Sequence, residues 1–163
     1  MTDTNTDTET ISYVALLRGI NVGSHTVKMA DLKILFQSLG FEDVTTYIAS
    51  GNVLFKNTEK NIENLEKTIE EALKNTYRFT IAVMIRTTEE MEQLVADSPF
   101  DEENTTVKKY VTFLKSELSE SSLYEITSNL ENGEQVILHG REIYFTIPAE
   151  SIFADKEDAH DQA

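Results

Sequence analysis

The sequence predicts an α+β fold: a ferredoxin-like β-α-β-β-α-β first half, followed by a related but incomplete second half packed on it. Three observations lead there. Short apolar segments of strand length alternate with segments of helical periodicity. Tight-turn signals join two consecutive pairs of strand segments. The 163 residues suffice for one hydrophobic core, or for two small halves sharing one. The expected division is an acidic tail over residues 1–11, a first half over 12–86, a second half over 87–153 and a second acidic tail over 154–163, with 12–153 as one compact unit.

Residues 13–20 form a nearly continuous apolar run broken by Arg18 and Gly19, which reads as a buried strand, β1. Leu32, Leu35, Phe36 and Leu39 then recur at helical spacing and stop at Gly40, a helix terminator, giving α1. Residues 44–49 and 53–56 are β-rich and are joined by Ser50-Gly51-Asn52, a hairpin signal, giving β2 and β3. Ile62, Leu65, Ile69 and Leu73 mark α2, and residues 79–85 read as β4. The order is that of two split βαβ units with both helices on one face of an antiparallel sheet.

The second half opens at Thr87, whose hydroxyl can cap a helix while Glu90 completes a capping box, so α3 runs to about Asp97, before Pro99. Residues 107–115 read as β5 and 119–130 as α4. Residues 135–139 and 142–147 form a hairpin, β6 and β7, turning at Gly140-Arg141. Nothing helical follows in the sequence, so Ile143, Phe145 and Ile147 need cover from α3, from the other half or from a second copy. A homodimer is one partner class this implies.

Composition narrows the function classes. Acids outnumber bases 29 to 14, for a formal net charge of −15, which disfavours nucleic acid and anionic membranes as partners. No run approaches the ~20 apolar residues of a membrane-spanning helix. The chain has no cysteine, which excludes disulfides and thiolate metal sites, and no apolar segment preceded by a basic one, so the expected compartment is the cytoplasm. The terminal segments MTDTNTDTET and ADKEDAHDQA cannot bury enough apolar surface to offset chain entropy and are expected to be loose.

Residues 13–55 resemble a bacterial family known by a domain-of-unknown-function label, DUF1697. The pieces ALLRGINVG, VKMADL, GFEDV and TYIASGN occur in the family's order and spacing, and SPF at 98–100, YVTFL at 110–114 and GREIYF at 140–145 extend the likeness. The resemblance implies a small α+β protein built from two ferredoxin-related halves. It also implies a second loop glycine where this chain has Ser24, and a helical segment with a Thr-Arg-Asn motif where this chain reads ADKEDAHDQA. The family carries no assigned activity, so the resemblance implies no catalytic role.

A site is expected where the loops leaving β1 and β2 meet, because these strands run parallel in the inferred order. The first loop, 18–25, leads through Lys28 into α1, and the second is Ser50-Gly51-Asn52. Arg18, Asn21, Gly23, Lys28, Ser50 and Asn52 are the candidate ligand-binding residues. Glycines let backbone amides approach a ligand, a helix N-terminus favours an anion, and Arg18 and Lys28 add positive charge. The plainer alternative is that glycine and asparagine serve only the turn, and that Arg18 pairs with Asp31 or Glu42.

The function expected is therefore a binding module for a small anionic ligand or partner. An enzyme at the same corner, with Ser24, His25 and Ser50 as nucleophile and base, is the alternative; a purely structural or interaction role is the third. RGINVG lacks the G-x-G-x-x-G spacing of a dinucleotide fingerprint. No cofactor or metal is expected, since no two histidines and no histidine–carboxylate pair have helical or hairpin ligand spacing. β1 and β4 are apolar on both faces, which argues against stacking RNA on the sheet.

Overall fold

A computed structural model of the chain describes residues 9–47, 51–100 and 103–149. The expected loose segments lie almost wholly outside them, as does Ser50. The chain divides into two compact units, Met1–Ala96 and Asp97–Ala163. Among the described residues there are two antiparallel sheets and four helices, an α+β architecture.

The first unit holds β1 (Ile11–Leu17), α1 (Met29–Ser38), β2 (Glu42–Tyr47), β3 (Asn52–Asn57), α2 (Ile62–Tyr77), β4 (Val83–Thr87) and α3 (Thr88–Ala96). The strand order is β2-β3-β1-β4 with antiparallel neighbours throughout, so β1 and β2 point the same way with β3 between them. Alternate side chains of a strand face opposite sides. Tyr13, Ala15 and Leu17 accordingly join Val53, Phe55, Val83 and Ile85 in one core with Leu32 and Phe36 of α1 and Leu65, Ile69 and Leu73 of α2. Phe41 stacks on Phe55 at 4.5 Å, and Phe36 meets both edge-on at 5.7 Å. The Asn61 side chain caps α2 by accepting from the Asn64 amide, and Arg78, at φ 66°, ends it.

Three element boundaries differ from the sequence reading. β1 stops at Leu17 rather than at residue 20, because Gly19 turns the chain at φ 73° and buried Ile20 serves the turn. β4 starts at Val83 rather than at residue 79, since Phe79 packs against His25 instead of joining the ladder. β2 spans Glu42–Tyr47 rather than residues 44–49; residues 48–50 are not among those described.

Helix α3 has the expected capping box, with the Thr87 amide donating to Glu90 Oε1 (2.9 Å) and the Glu90 amide donating to Thr87 Oγ1 (3.0 Å). It packs on β4 and β1, so the first unit extends to Ala96 rather than ending at residue 86.

The second unit holds β5 (Val107–Phe113), α4 (Glu120–Ser128), β6 (Gln135–His139) and β7 (Glu142–Pro148), in the order β5-β7-β6. The hairpin turns at Gly140-Arg141, as its glycine predicts. Ile143 is buried, Phe145 is half-buried and stacks on Tyr110 at 5.0 Å, and Ile147 is half-buried.

Candidate functional site

The β1–β3 pairing brings the β1–α1 loop and Gly51-Asn52, which lead into β3, to one edge of the first sheet. The Leu17 amide donates to the Gly51 carbonyl (3.0 Å), and Leu16 and Asn52 are register partners. A Cβ on Gly51 would lie 2.9 Å from Ile20 Cδ1 and 3.0 Å from the Leu17 carbonyl, and its φ is +85°. Glycine is required there on both counts, by close approach and by conformation.

The β1–α1 loop is braced from within. Asn21, at φ 57°, donates its amide to the His25 carbonyl (2.6 Å), while its side-chain Oδ1 accepts from the Val27 amide (2.8 Å). The ends are anchored by buried Ile20 and Val27. Between them every residue from Asn21 to Thr26 is exposed.

The candidate residues take distinct roles in this arrangement. Asn21 spends its carboxamide oxygen on the loop itself. Gly23, at φ 64°, has open space where a Cβ would sit, so its glycine answers the turn's conformation. Asn52 is half-buried in β3, in register with both Leu16 and Tyr47. Arg18 and Lys28 remain exposed and make no ion pair with any described residue, so Arg18 is not held by Asp31 or Glu42. Lys28 is the N-cap of α1 and cannot accept from its first-turn amides, and no side chain caps that end.

Two further groups reach the same edge from the α2–β4 connection, and the sequence reading did not place them there. The Arg18 amide donates to the Ala82 carbonyl (3.0 Å), which ties that connection to the corner. His25 stacks on Phe79 with ring centroids 4.0 Å apart and planes 10° from parallel, and Phe79 meets Tyr77 at 6.3 Å. Arg78, between these two aromatics, is exposed and unpaired among the described residues. The signal was available: in a β-α-β-β-α-β order, the connection entering β4 shares an edge with the one leaving β1.

Tyr77 lies within electrostatic reach of Asp31 on α1. Burial first, and that carboxylate second, raise its phenol above the ordinary value. The corner offers no nucleophile–base contact among the described residues: the Ser24 hydroxyl makes no hydrogen bond to the His25 ring, and Ser50 is not described. The described residues contain no cluster of three metal-binding side chains. No helix among them is long and apolar enough to cross a membrane.

Two clefts lined by described residues lie away from the corner. One of about 370 Å³ has Leu39, Phe41 and Leu65 at its apolar side with Asn57, Asn64 and Thr68 around them. Another, of about 430 Å³, opens beside Ser12, Thr87 and Glu89. The corner is a braced surface whose residues Asn21 to Thr26 are exposed and which carries cations and a ring pair.

The family model described as "Protein of unknown function (DUF1697)" matches residues 11–144, and the chain belongs to that family. Among solved structures, the chain is similar to conserved bacterial protein SP0830 from Streptococcus pneumoniae, at 25% identity and a TM-score of 0.73, covering 90% of this chain and 82% of that one. No curated protein matches the chain.

Proposed function

We propose that this member of the family is a binding module whose first unit, a ferredoxin-like domain, recognises a small anionic ligand at the corner formed by the β1–α1 loop, Gly51-Asn52 at the start of β3 and the α2–β4 connection. The strand order β2-β3-β1-β4, with α1 and α2 sharing one core face, supports the ferredoxin-like reading. A chain of net charge −15 without cysteine fits a cytoplasmic protein.

One observation carries the reading. Acids outnumber bases two to one, yet Arg18, Lys28 and Arg78 stand at a single edge with no carboxylate partner among the described residues. Lys33, Lys60 and Lys67 are also without an ion pair among the described residues, so what sets these three apart is that the end of β1, the start of α1 and the α2–β4 connection meet at one end of the sheet. Together Arg18, Lys28 and Arg78 add positive charge beside the uncapped start of α1, where backbone amides favour an anion and Asp31 of the first turn is an opposing charge nearby. The loop bracing holds these groups in place before any ligand arrives, which lowers the ordering cost of binding.

The test is thermal unfolding with inorganic phosphate and with ribose 5-phosphate. A ligand at 100 times its Kd stabilises by about 2.7 kcal/mol. The double substitution Arg18→Ala with Lys28→Ala is expected to remove that gain while leaving the unliganded stability within about 0.5 kcal/mol, as for exposed residues without partners. A protein that shows no gain with either anion overturns the reading.

A further inference from the structure

We infer that the ligand of this corner carries a planar aromatic ring beside its anionic group, the chemistry of a nucleoside 5′-phosphate. The inference rests on the anion-binding reading above and deepens it.

His25 carries the inference. Its imidazole lies flat on Phe79, with centroids 4.0 Å apart and 10° between planes, yet the residue is exposed. One ring face is covered by Phe79, while the residue as a whole is exposed, and the opposite face is taken as the stacking surface. An exposed loop histidine ordinarily keeps its rotamer freedom; here Phe79 fixes the ring plane, and Phe79 is itself half-buried and packed against the core. The backbone beneath is equally fixed, because Asn21 ties both the His25 carbonyl and the Val27 amide. The result is a rigid aromatic surface in a loop that otherwise presents polar and small side chains.

Such a surface is what a nucleobase stacks on, since every base has a π-face and stacking needs no base-specific hydrogen bond. The cations flank it in the chain: Lys28 follows His25 by three residues, and Arg78 directly precedes Phe79. A base on His25 would leave its sugar phosphate among these charges and close to the start of α1. A bare phosphate or carboxylate would use the cations and leave the platform unused. No glycine-rich dinucleotide fingerprint is needed, because the phosphate here meets side-chain cations and a helix start rather than a glycine loop.

The experiment compares AMP with ribose 5-phosphate, which lacks only the base, by isothermal titration on the intact protein. AMP is expected to bind about tenfold tighter, the size of one base–aromatic stack. His25→Ala should bring AMP down to the ribose 5-phosphate level and leave ribose 5-phosphate unchanged, whereas His25→Phe should keep the preference. The His25 ring protons should shift upfield on adding AMP and not on adding ribose 5-phosphate. Equal affinity for the two compounds, or a preference that survives His25→Ala, overturns this inference while leaving an anion site in place. Absence of binding by both compounds overturns the anion reading as well.

Discussion

The two units are built from similar elements but differ in how much they bury. In the first, strands and helices close over an aromatic and aliphatic core in which Leu32, Phe36, Val53, Ile69 and Leu73 are fully buried. In the second, the buried described residues are Ile143, Tyr144 and Thr146, of which Tyr144 is the most enclosed, and α4 has no buried side chain. Apolar burial is the main favourable term in folding, so stability is concentrated in the first unit. The braced corner is mounted on that rigid unit, which is where a pre-organised binding surface belongs.

The comparison is broken most directly by truncating one core side chain in each unit. Phe55→Ala removes a ring that stacks on Phe41 and Tyr13 and meets Phe36, and should cost about 3–5 kcal/mol. Ile126→Ala, at a half-buried position of the mostly exposed α4, should cost about 1 kcal/mol, since only part of its surface leaves water. Urea unfolding followed by circular dichroism measures both. Equal losses would show that the second unit is packed as tightly as the first.

Alkaline titration separates the units by a second route. Tyr13 and Tyr77 in the first unit and Tyr144 in the second have phenols raised above the ordinary value, each chiefly by burial. A phenol whose folded pKa exceeds its unfolded value, about 10, favours the folded state fully below that pH. That contribution is lost as pH rises through the folded value. Tyr144 is expected to ionise first, because exposing it needs only the thinly packed unit to open. Tyr13, which donates its hydroxyl to the Glu59 carbonyl at 2.5 Å, should ionise last. Phenolate absorbance with Tyr144→Phe and Tyr13→Phe assigns the steps, and the reverse order would contradict the ranking.

The sequence conveyed most where periodicity and punctuation agreed. Leu32 and Phe36 before Gly40, and Leu65, Ile69 and Leu73 at helical spacing, mark α1 and α2 because one buried stripe determines each helix. The capping box at Thr87 was legible because its partners are three residues apart. The ends of β1 and the start of β4 were not, since Ile20 and Phe79 are apolar for reasons that lie across the fold: one plugs a turn against Gly51 and the other carries the His25 ring. The candidate corner was legible as loops but not as a surface. Asn21 looks like a ligand group in sequence and also braces the loop, while Arg78 and Phe79 lie more than about 50 residues further along the chain, a separation that only topology bridges.

The smallest expected effect falls at the join between the units and tests where one ends. Sequence punctuation places the boundary before α3, whereas the packing of α3 on β1 and β4 places it after Ala96. Thr87→Ala removes the acceptor for the Glu90 amide, and loss of such an N-cap costs about 1 kcal/mol. Thr87→Ser keeps a hydroxyl in the same place and should recover most of it. If α3 is part of the first unit, the loss appears in the unfolding of the β1–β4 sheet, read by hydrogen exchange at the Ala15 and Ile85 amides, and the β5–β7 amides keep their protection. If exchange instead rises at the β5–β7 amides while the first sheet is unchanged, α3 belongs energetically to the second unit and the boundary lies at residue 86.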